Sequence, residues 1–147
     1  MTERPIADLV VGFTGTREGM TEAQRTTVQE ILDKYQPSAA HHGDCVGADE
    51  DFHALVAGRT TVVVHPPDQR RLRAFCRGDF TRPELPYLRR NREIASECNL
   101  LVATPKEDGE RYEGGTWYTV HHARKEGKTV IVVWPDGSTL IDGEVAE

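Results

Sequence analysis

The fold is decided by the stretch from Leu9 to Arg17, which reads LVVGFTGTR. Its first half is short, apolar and rich in residues that favour strands, which predicts a strand over residues 9–14 buried on both faces of a parallel sheet. Gly15 then permits a tight turn that approaches a ligand closely. Thr14, Thr16 and Arg17 bring two hydroxyls and a guanidinium to the carboxyl end of the strand, where ligands bind in open parallel sheets. The stretch therefore predicts half of a phosphate or nucleotide pocket.

Outward from this stretch, predicted strands and helices alternate along the chain. Four more strands are predicted at residues 38–42, 60–65, 99–103 and 129–134. Predicted helices connect the strands at residues 22–35, 47–57, 87–97 and 116–126, and Thr21 with Gln24 predicts a capping box at the start of the first one. The β-α-β-α-β-α-β-α-β pattern predicts an α/β protein with a three-layer Rossmann-like fold, whose five-stranded, mainly parallel sheet has the order 3-2-1-4-5. Its length predicts a single domain over residues 1–147.

A second glycine-rich turn, Gly114, Gly115 and Thr116, lies directly before the last predicted helix. Free amides at the start of a helix and the positive end of its dipole bind phosphate, and glycines let the phosphate approach the backbone. The alternative interpretation is a flexible loop with a threonine cap. The predicted strand order places this turn opposite the turn after strand one, at the switch point of the sheet.

The turn after strand two offers carboxylates to the same rim of the sheet. Gly43 lets the chain turn there, and Asp44 or Asp49 could accept hydrogen bonds from a ribose. The alternative interpretation is that both aspartates only cap the helix that follows. We keep Gly43, Asp44 and Asp49 as candidate ligand-binding residues.

An arginine-rich segment lies on the predicted helix that precedes strand four. Guanidinium groups suit the recognition of phosphate or carboxylate, because their planar fork donates two parallel hydrogen bonds. Neighbouring helix positions face different directions, so these arginines cannot all reach one site. We expect Asn91 with Arg92, or Arg89 with Arg92, to reach the ligand.

Several histidines and cysteines raise the alternatives of a metal site or a cysteine nucleophile. Cys45, Asp49 and His53 share helical spacing if the helix starts early, and His41, His42 and Asp44 lie close to them in the chain. No HExxH, HxxEH or CxxC pattern is present, so the sequence predicts neither a metal nor a cofactor. A nucleophilic Cys45 is the other alternative, but no histidine or acid can be assigned as its base.

Composition and charge narrow the classes of partner. The 147 residues carry a net charge of −6, and the isoelectric point is about 5.5. An acidic chain binds nucleic acid and anionic membranes poorly, because both reward clustered positive charge. No apolar run approaches the roughly 20 residues that span a bilayer. Three widely spaced cysteines favour a reducing compartment. We therefore expect a cytoplasmic protein that binds a small molecule.

Taken in order, four motifs resemble those of the SLOG superfamily. They are GFTGTR at residues 12–17, HGDCVGAD at 42–49, RNREIA at 90–95, and GGT at 114–116 with Gly127-Lys128 beyond it. This Rossmann-like group includes the YspA-like and YpsA-like proteins, the lonely-guy phosphoribohydrolases and the core of DNA-processing protein A. The likeness spans residues 9–134.

The resemblance implies a nucleotide or nucleotide-derived ligand at the two glycine turns, and a homodimer or larger assembly. For the phosphoribohydrolase branch it implies cleavage of a nucleoside monophosphate at its N-glycosidic bond. That branch carries a PGGxGTxxE motif with a catalytic glutamate. Here Glu113 replaces the proline, and a histidine occupies the register of the glutamate. The segment is closer to the GGT form of the YspA-like and DNA-processing branches.

Three hypotheses about function follow. The first is a nucleotide-binding sensor or carrier. The second is a nucleotide N-glycosidase, in which an acid such as Asp44, Asp49 or Glu113 assists departure of the base. A nearby carboxylate stabilises an oxocarbenium-like centre, and Asp44 and Glu113 are the candidate catalytic residues. The third is an interaction module whose pocket is vestigial.

Overall fold

The computed structural model describes residues 8–143, so the two ends of the predicted domain lie outside the described residues. Seven strands lie in this part of the chain: β1 Val10–Gly15, β2 Ala39–His42, β3 Thr61–Val64, β4 Phe80–Thr81, β5 Leu100–Thr104, β6 Thr129–Val133 and β7 Thr139–Asp142. The same part holds four α-helices: α1 Glu22–Tyr35, α2 Ala48–Val56, α3 Tyr87–Glu97 and α4 Gly115–Lys125. The predicted alternation of strands and helices is therefore confirmed.

All seven strands form one sheet in the order β4-β3-β2-β1-β5-β6-β7. Every neighbouring pair is parallel except β6 and β7, which run antiparallel. The Rossmann-like α/β class is confirmed, whereas the prediction of five strands in the order 3-2-1-4-5 was wrong. One short strand is added at each edge, because β4 continues the sheet beyond β3 and β7 folds back on β6.

Helices cover both faces of the sheet and divide the core into two clusters. On one face α1 and α2 pack through residues such as Leu32 and Phe52, and the Phe13 ring of β1 stacks on Phe52 at 4.3 Å between centroids. On the other face α3 and α4 pack through Ile94 and Val120. The central strands are buried on both faces, as expected of a parallel sheet covered by helices.

The start of α1 is fixed by the capping box that the sequence predicts. The Thr21 hydroxyl accepts a hydrogen bond from the Gln24 amide, and the Gln24 side chain accepts one from the Thr21 amide. Gln24 is fully buried and also donates to the carbonyl oxygens of Pro105 and Val133. One side chain therefore joins α1 to β6 and to the segment after β5.

Within residues 8–143, none of the helices combines the length and the apolar character required to cross a lipid bilayer.

Candidate functional site

A cavity of about 650 Å³ opens at the carboxyl ends of β1 and β5, where the strand order reverses. Its size falls within the range typical of small-molecule sites. Residues from four parts of the chain line it: Phe13–Glu18 at the end of β1, three residues after β2 (Gly43, Cys45 and Asp49), three on the first turns of α3 (Tyr87, Arg90 and Asn91), and others between Pro105 and Trp117. The fold therefore brings the two glycine-rich turns to one cavity, as the sequence analysis expects.

The turn after β1 is held in place by the backbone of its neighbours. The Thr16 carbonyl accepts the Ala48 amide at 2.9 Å, and the Thr16 amide donates to the Thr104 carbonyl at 3.2 Å. Gly47 has a φ of +96°, and a Cβ there would collide with the backbone of Arg17. A glycine is therefore required where the start of α2 packs against the turn.

Arg17 is an exposed cation on this turn. Its guanidinium lies over the Tyr87 ring, 5.7 Å from the ring centroid. Within residues 8–143 it has no carboxylate partner. Lys106 and Arg111 also line the cavity but pair with Glu18 at 3.3 Å and with Glu107 at 3.1 Å. Arg17 is thus the lining cation with its charge most available to an anion.

The first turn of α4 forms the opposite wall of the cavity. Its N-cap, Gly114, has a φ of +97° and no side chain that could accept hydrogen bonds from the first amides of the helix. The first backbone bond of the helix runs from the Tyr118 amide to the Gly114 carbonyl, so the amides of Gly115 to Trp117 have no intrahelical acceptor. These amides and the helix dipole make this end of the cavity favourable for an anion.

Arg90 and Asp49 are two buried ionisable residues in the floor of the cavity. Arg90 donates to the carbonyl of Gly43, to the carbonyl of His65 at 2.9 Å and to the side chain of Asn91 at 2.6 Å. Asp49 accepts the Cys45 amide at 3.2 Å. A Cβ on Gly43 would lie within 3.0 Å of both charged groups, so only glycine leaves room for them.

Burial is the main cause of the shifted pKa values of Asp49 and Cys45 in the cavity floor. It raises the pKa of Asp49 to about 6, although the positive charge of Arg90 opposes the shift. Burial and the nearby Asp49 carboxylate also raise the pKa of the Cys45 thiol. A thiol with a raised pKa is a poor nucleophile at neutral pH, which counts against the Cys45 alternative.

The structure brings most of the predicted site residues to the cavity. Those that line it are Thr14, Gly15, Thr16, Arg17, Gly43, Asp49, Asn91, Glu113, Gly114, Gly115 and Thr116. Glu113 lies exposed at the rim, whereas Asp49 is buried in the floor. Of the carboxylates named as ribose or catalytic candidates, Asp49 is therefore the one enclosed by the cavity.

Asp44 does not line the cavity, so its predicted ligand-binding and catalytic roles require correction. Its backbone has a φ of +54°, and its side chain is fully buried away from the cavity. The carboxylate accepts bonds from Arg73 at 2.8 Å and from the Cys76 amide at 2.7 Å. Asp44 therefore anchors the segment between β3 and β4.

Arg89 and Arg92 are also outside the cavity, and Arg90 takes the place predicted for them. Arg89 is exposed, and Arg92 donates to the Tyr118 hydroxyl at 3.1 Å. Helical spacing would have identified Arg90, because it precedes the buried Ile94 by four residues and so shares its face. Tyr87 and Trp117 line the cavity as well, and neither carried a sequence signal beyond its helical position.

Among residues 8–143, two clusters away from the cavity contain residues able to ligate a metal. One combines His42, His53 and Cys76, and the other combines His41, His65 and Glu97. His41 and His42 occupy consecutive positions of β2 and so face opposite sides of the sheet. His65 and Glu97 were not among the residues that the sequence analysis considered for a metal.

The fold defines a Rossmann-like α/β protein with a cavity at the switch point of its sheet. No protein-family model and no curated protein matches the chain. Among solved structures, the crystal structure of TM1055, a target of the Northeast Structural Genomics Consortium, is similar to it. The two chains are 21% identical with a TM-score of 0.58, over 83% of this chain and 72% of TM1055. This likeness supports the Rossmann-like fold.

Proposed function

We propose that this protein binds a nucleotide or nucleotide-derived ligand in the cavity, as a SLOG-type sensor or carrier. The observation that carries the proposal is the convergence of Arg17 with the free amides of α4. Arg17 lies over the Tyr87 ring, and a Cβ on Gly115 would lie 3.8 Å from the same ring. A phosphate in this position would meet a guanidinium and the start of a helix together.

The remaining lining suits the rest of a nucleotide. Tyr87 offers exposed ring surface to a base, whereas Asp49 and Asn91 offer an acceptor and an amide to a sugar. Of the eight lining residues with ionisable acidic or basic side chains, four are basic and four are acidic. The proposal therefore depends on the local arrangement of Arg17 and the α4 amides and not on an excess of positive charge.

The proposal is tested with the double variant Arg17→Ala with Thr116→Val. It removes one charged and one hydroxyl donor, so we expect the affinity for AMP to fall about 10- to 100-fold. Binding is measured by titration calorimetry with AMP, ribose 5-phosphate and adenosine, which separate the contributions of phosphate, sugar and base. The wild type should bind AMP and ribose 5-phosphate more tightly than adenosine.

Arg89→Ala provides the matched control, because it removes an arginine of the same surface that lies outside the cavity. Its affinity should equal that of the wild type. If the double variant bound AMP as tightly as the wild type, the phosphate would lie elsewhere. The same would follow if Arg89→Ala lost as much affinity as the double variant. An absence of binding by all three compounds would favour the vestigial interaction module.

A second candidate function, hydrolysis of a nucleotide N-glycosidic bond, is favoured by Asp49. Its buried carboxylate lies in the cavity floor, where it could stabilise positive charge at the anomeric carbon as the base departs. Water would add to that carbon, and the base would leave with a proton. Asp49 here replaces Asp44, which the fold turns away from the cavity.

Release of adenine from AMP, followed by chromatography, tests the enzyme hypothesis. Asp49→Asn should abolish release because it removes the negative charge, while AMP binding is retained. Glu113→Gln, which changes an exposed carboxylate at the rim, should retain release. If Glu113→Gln loses release and Asp49→Asn keeps it, the catalytic carboxylate is Glu113. Wild-type protein that binds AMP without releasing adenine is a sensor or carrier.

A further inference from the structure

A polar cluster is buried between α3 and the sheet, on the face that α3 covers. His41 projects from β2, His65 follows the end of β3, and Glu97 is the last residue of α3. The His41 Nδ1 and His65 Nε2 atoms are 2.8 Å apart, and His41 Nδ1 lies 3.9 Å from Glu97 Oε1. Each of the three residues offers one ligand atom, and these ligand atoms lie within 4.8 Å of one another. None of the three residues lines the cavity, so this cluster is separate from the proposed nucleotide site.

The protons of the two imidazoles can be assigned from their surroundings. One proton lies between His41 Nδ1 and His65 Nε2. The other nitrogen of His65, Nδ1, is buried, has no hydrogen-bond partner within residues 8–143, and lies 3.6 Å from Glu93 Oε1. A bare lone pair facing a carboxylate is unfavourable, so His65 carries its proton on Nδ1. His41 Nδ1 then donates the shared proton to His65 Nε2.

We propose that His41, His65 and Glu97 bind a divalent transition-metal ion of the zinc class, with water as the fourth ligand. Two imidazole nitrogens, one carboxylate oxygen and a water form a donor set typical of zinc sites with an open position. The ion replaces the shared proton, which moves to the other nitrogen of His41. His65 already holds its proton on Nδ1, so its Nε2 lone pair is available without a change of tautomer.

The distances need only small adjustments to accept the ion. Tetrahedral zinc ligands at 2.0–2.1 Å from the metal lie about 3.3 Å from one another. The two nitrogens must therefore separate by about half an ångström, and the Glu97 oxygen must approach His41 Nδ1 by a similar amount. Glu97 is partly exposed, so a metal and its water have an entry path. Glu93 would serve as the carboxylate that orients a metal-binding imidazole.

The electrostatic environment keeps both histidines ready to bind. Burial lowers the pKa of His41, and burial together with the neighbouring His41 and Arg82 lowers the pKa of His65 to about 3. Both rings are therefore neutral at pH 7, which is the form that ligates metals.

Arg82 disfavours metal binding, because its guanidinium donates hydrogen bonds to both carboxylate oxygens of Glu97, at 2.6 and 2.9 Å.

The cluster on the other face of β2 is unsuited to the same role. His42 Nδ1 accepts the Asp44 amide at 2.9 Å, so the proton of His42 is on Nε2 and is directed to His53 Nδ1 at 3.0 Å. A metal on Nε2 would require this ring to lose its only proton or its bond to the Asp44 amide. Burial and the nearby Asp44 also raise the pKa of the Cys76 thiol to about 12. His53 therefore supplies a matched control.

The test titrates the metal-free protein with Co²⁺ and with Zn²⁺. One Co²⁺ ion should bind per chain and give the strong visible absorption of a tetrahedral site, and Zn²⁺ should displace it. Glu97→Gln should weaken binding at least about 10-fold, and Glu93→Gln by about 10- to 100-fold. Arg82→Gln should strengthen binding, because it removes a competing cation from Glu97. His53→Gln should bind as the wild type does.

Long-range nitrogen-15 NMR of the imidazoles identifies the ligands directly without a core substitution. Zinc should shift the resonances of His41 and His65 and move the His41 proton from Nδ1 to Nε2, leaving His42 and His53 unchanged. Shifts confined to His42 and His53, or loss of binding in His53→Gln, would overturn the assignment. So would Glu97→Gln binding as tightly as wild type, or a wild type that binds neither ion.

Discussion

Burial of Asp49 gives the stability of the protein a pH dependence that a surface aspartate lacks. The pKa of Asp49 is raised to about 6, whereas an aspartate in the unfolded chain titrates near its ordinary value of about 3.9. The folded state therefore holds this proton more tightly than the unfolded state does. The stability contributed by the protonated carboxyl is complete below pH about 4 and is lost as the pH rises through about 6.

We predict that Asp49→Asn removes this dependence. The free energy of unfolding of the wild type, relative to Asp49→Asn, should fall by on the order of 2 kcal/mol between pH about 4 and pH about 7. Urea unfolding of both proteins at several pH values measures the difference, and groups common to both cancel. A difference that is constant with pH would mean that Asp49 is solvated in the folded protein.

Single residues also show the limit of prediction from the sequence. Asp44 follows β2 at the carboxyl-end edge of the sheet, which is the edge where the cavity lies. Its side chain nevertheless binds Arg73 and the Cys76 amide, about 30 positions further along the chain. Nothing in the local pattern near Asp44 indicates those partners. Arg90 could have been predicted, because helical spacing alone places it on the buried face of α3.

At the scale of single elements, we predict that Gln24 is the most sensitive polar residue of α1. Gln24→Ala removes half of the capping box and leaves the carbonyls of Pro105 and Val133 without this donor. The free energy of unfolding should fall by about 2–3 kcal/mol. Gln29→Ala is the control on the same helix, because within residues 8–143 the Gln29 side chain bonds only to Asp33, at the surface. It should cost less than about 0.5 kcal/mol.

The elements themselves were predicted where their pattern is local. The periodicity of α3 gives its bounds at Tyr87–Glu97, and the box at Thr21 and Gln24 gives the start of α1. The short strand β4 has two exposed residues, so no periodic signal marks it. Most of β7 is exposed, and it exists because it can pair with β6, a long-range condition that a local pattern does not reveal.

At the scale of the whole molecule, Arg124 links the loop between β5 and α4 to the edge of the sheet. Its guanidinium pairs with Glu110 of the loop and with Asp142 of β7, both at 2.8 Å. Burial lowers the pKa of Arg124, but the two carboxylates raise it by more, so the pKa of Arg124 lies above its ordinary value. The loop that lines the cavity and the last strand are thus coupled through one side chain.

We predict that Arg124→Ala loosens both segments at once. Amide hydrogen exchange should accelerate in the loop at residues 106–113 and in β7, because both lose the same ionic partner. The effect should be smaller at high salt, where the pairs are screened in the wild type as well. Lys125→Ala, at the exposed neighbouring position, should leave exchange in both segments unchanged. Acceleration in only one segment would show that they are not coupled through Arg124.

The meeting of the two glycine turns was predictable because it depends on topology. Strands β1 and β5 pair in parallel along their whole length, from Val11 with Leu100 to Gly15 with Thr104. Their following turns must therefore leave the sheet at the same edge. The contents of the cavity floor were less predictable, since Arg90 and Cys45 come from different parts of the chain and meet only in the folded protein.

The chain has two tryptophans, and their positions give the protein a built-in optical reporter. Trp117 lines the cavity, and its ring lies 5.9 Å from that of Trp134. A ligand in the cavity would change the surroundings of Trp117 and so its emission, whereas a ligand bound elsewhere would leave the spectrum unaltered. Replacing Trp134 with phenylalanine would leave a single fluorophore in the cavity wall, so that occupancy could be followed in a stopped-flow cuvette without any label.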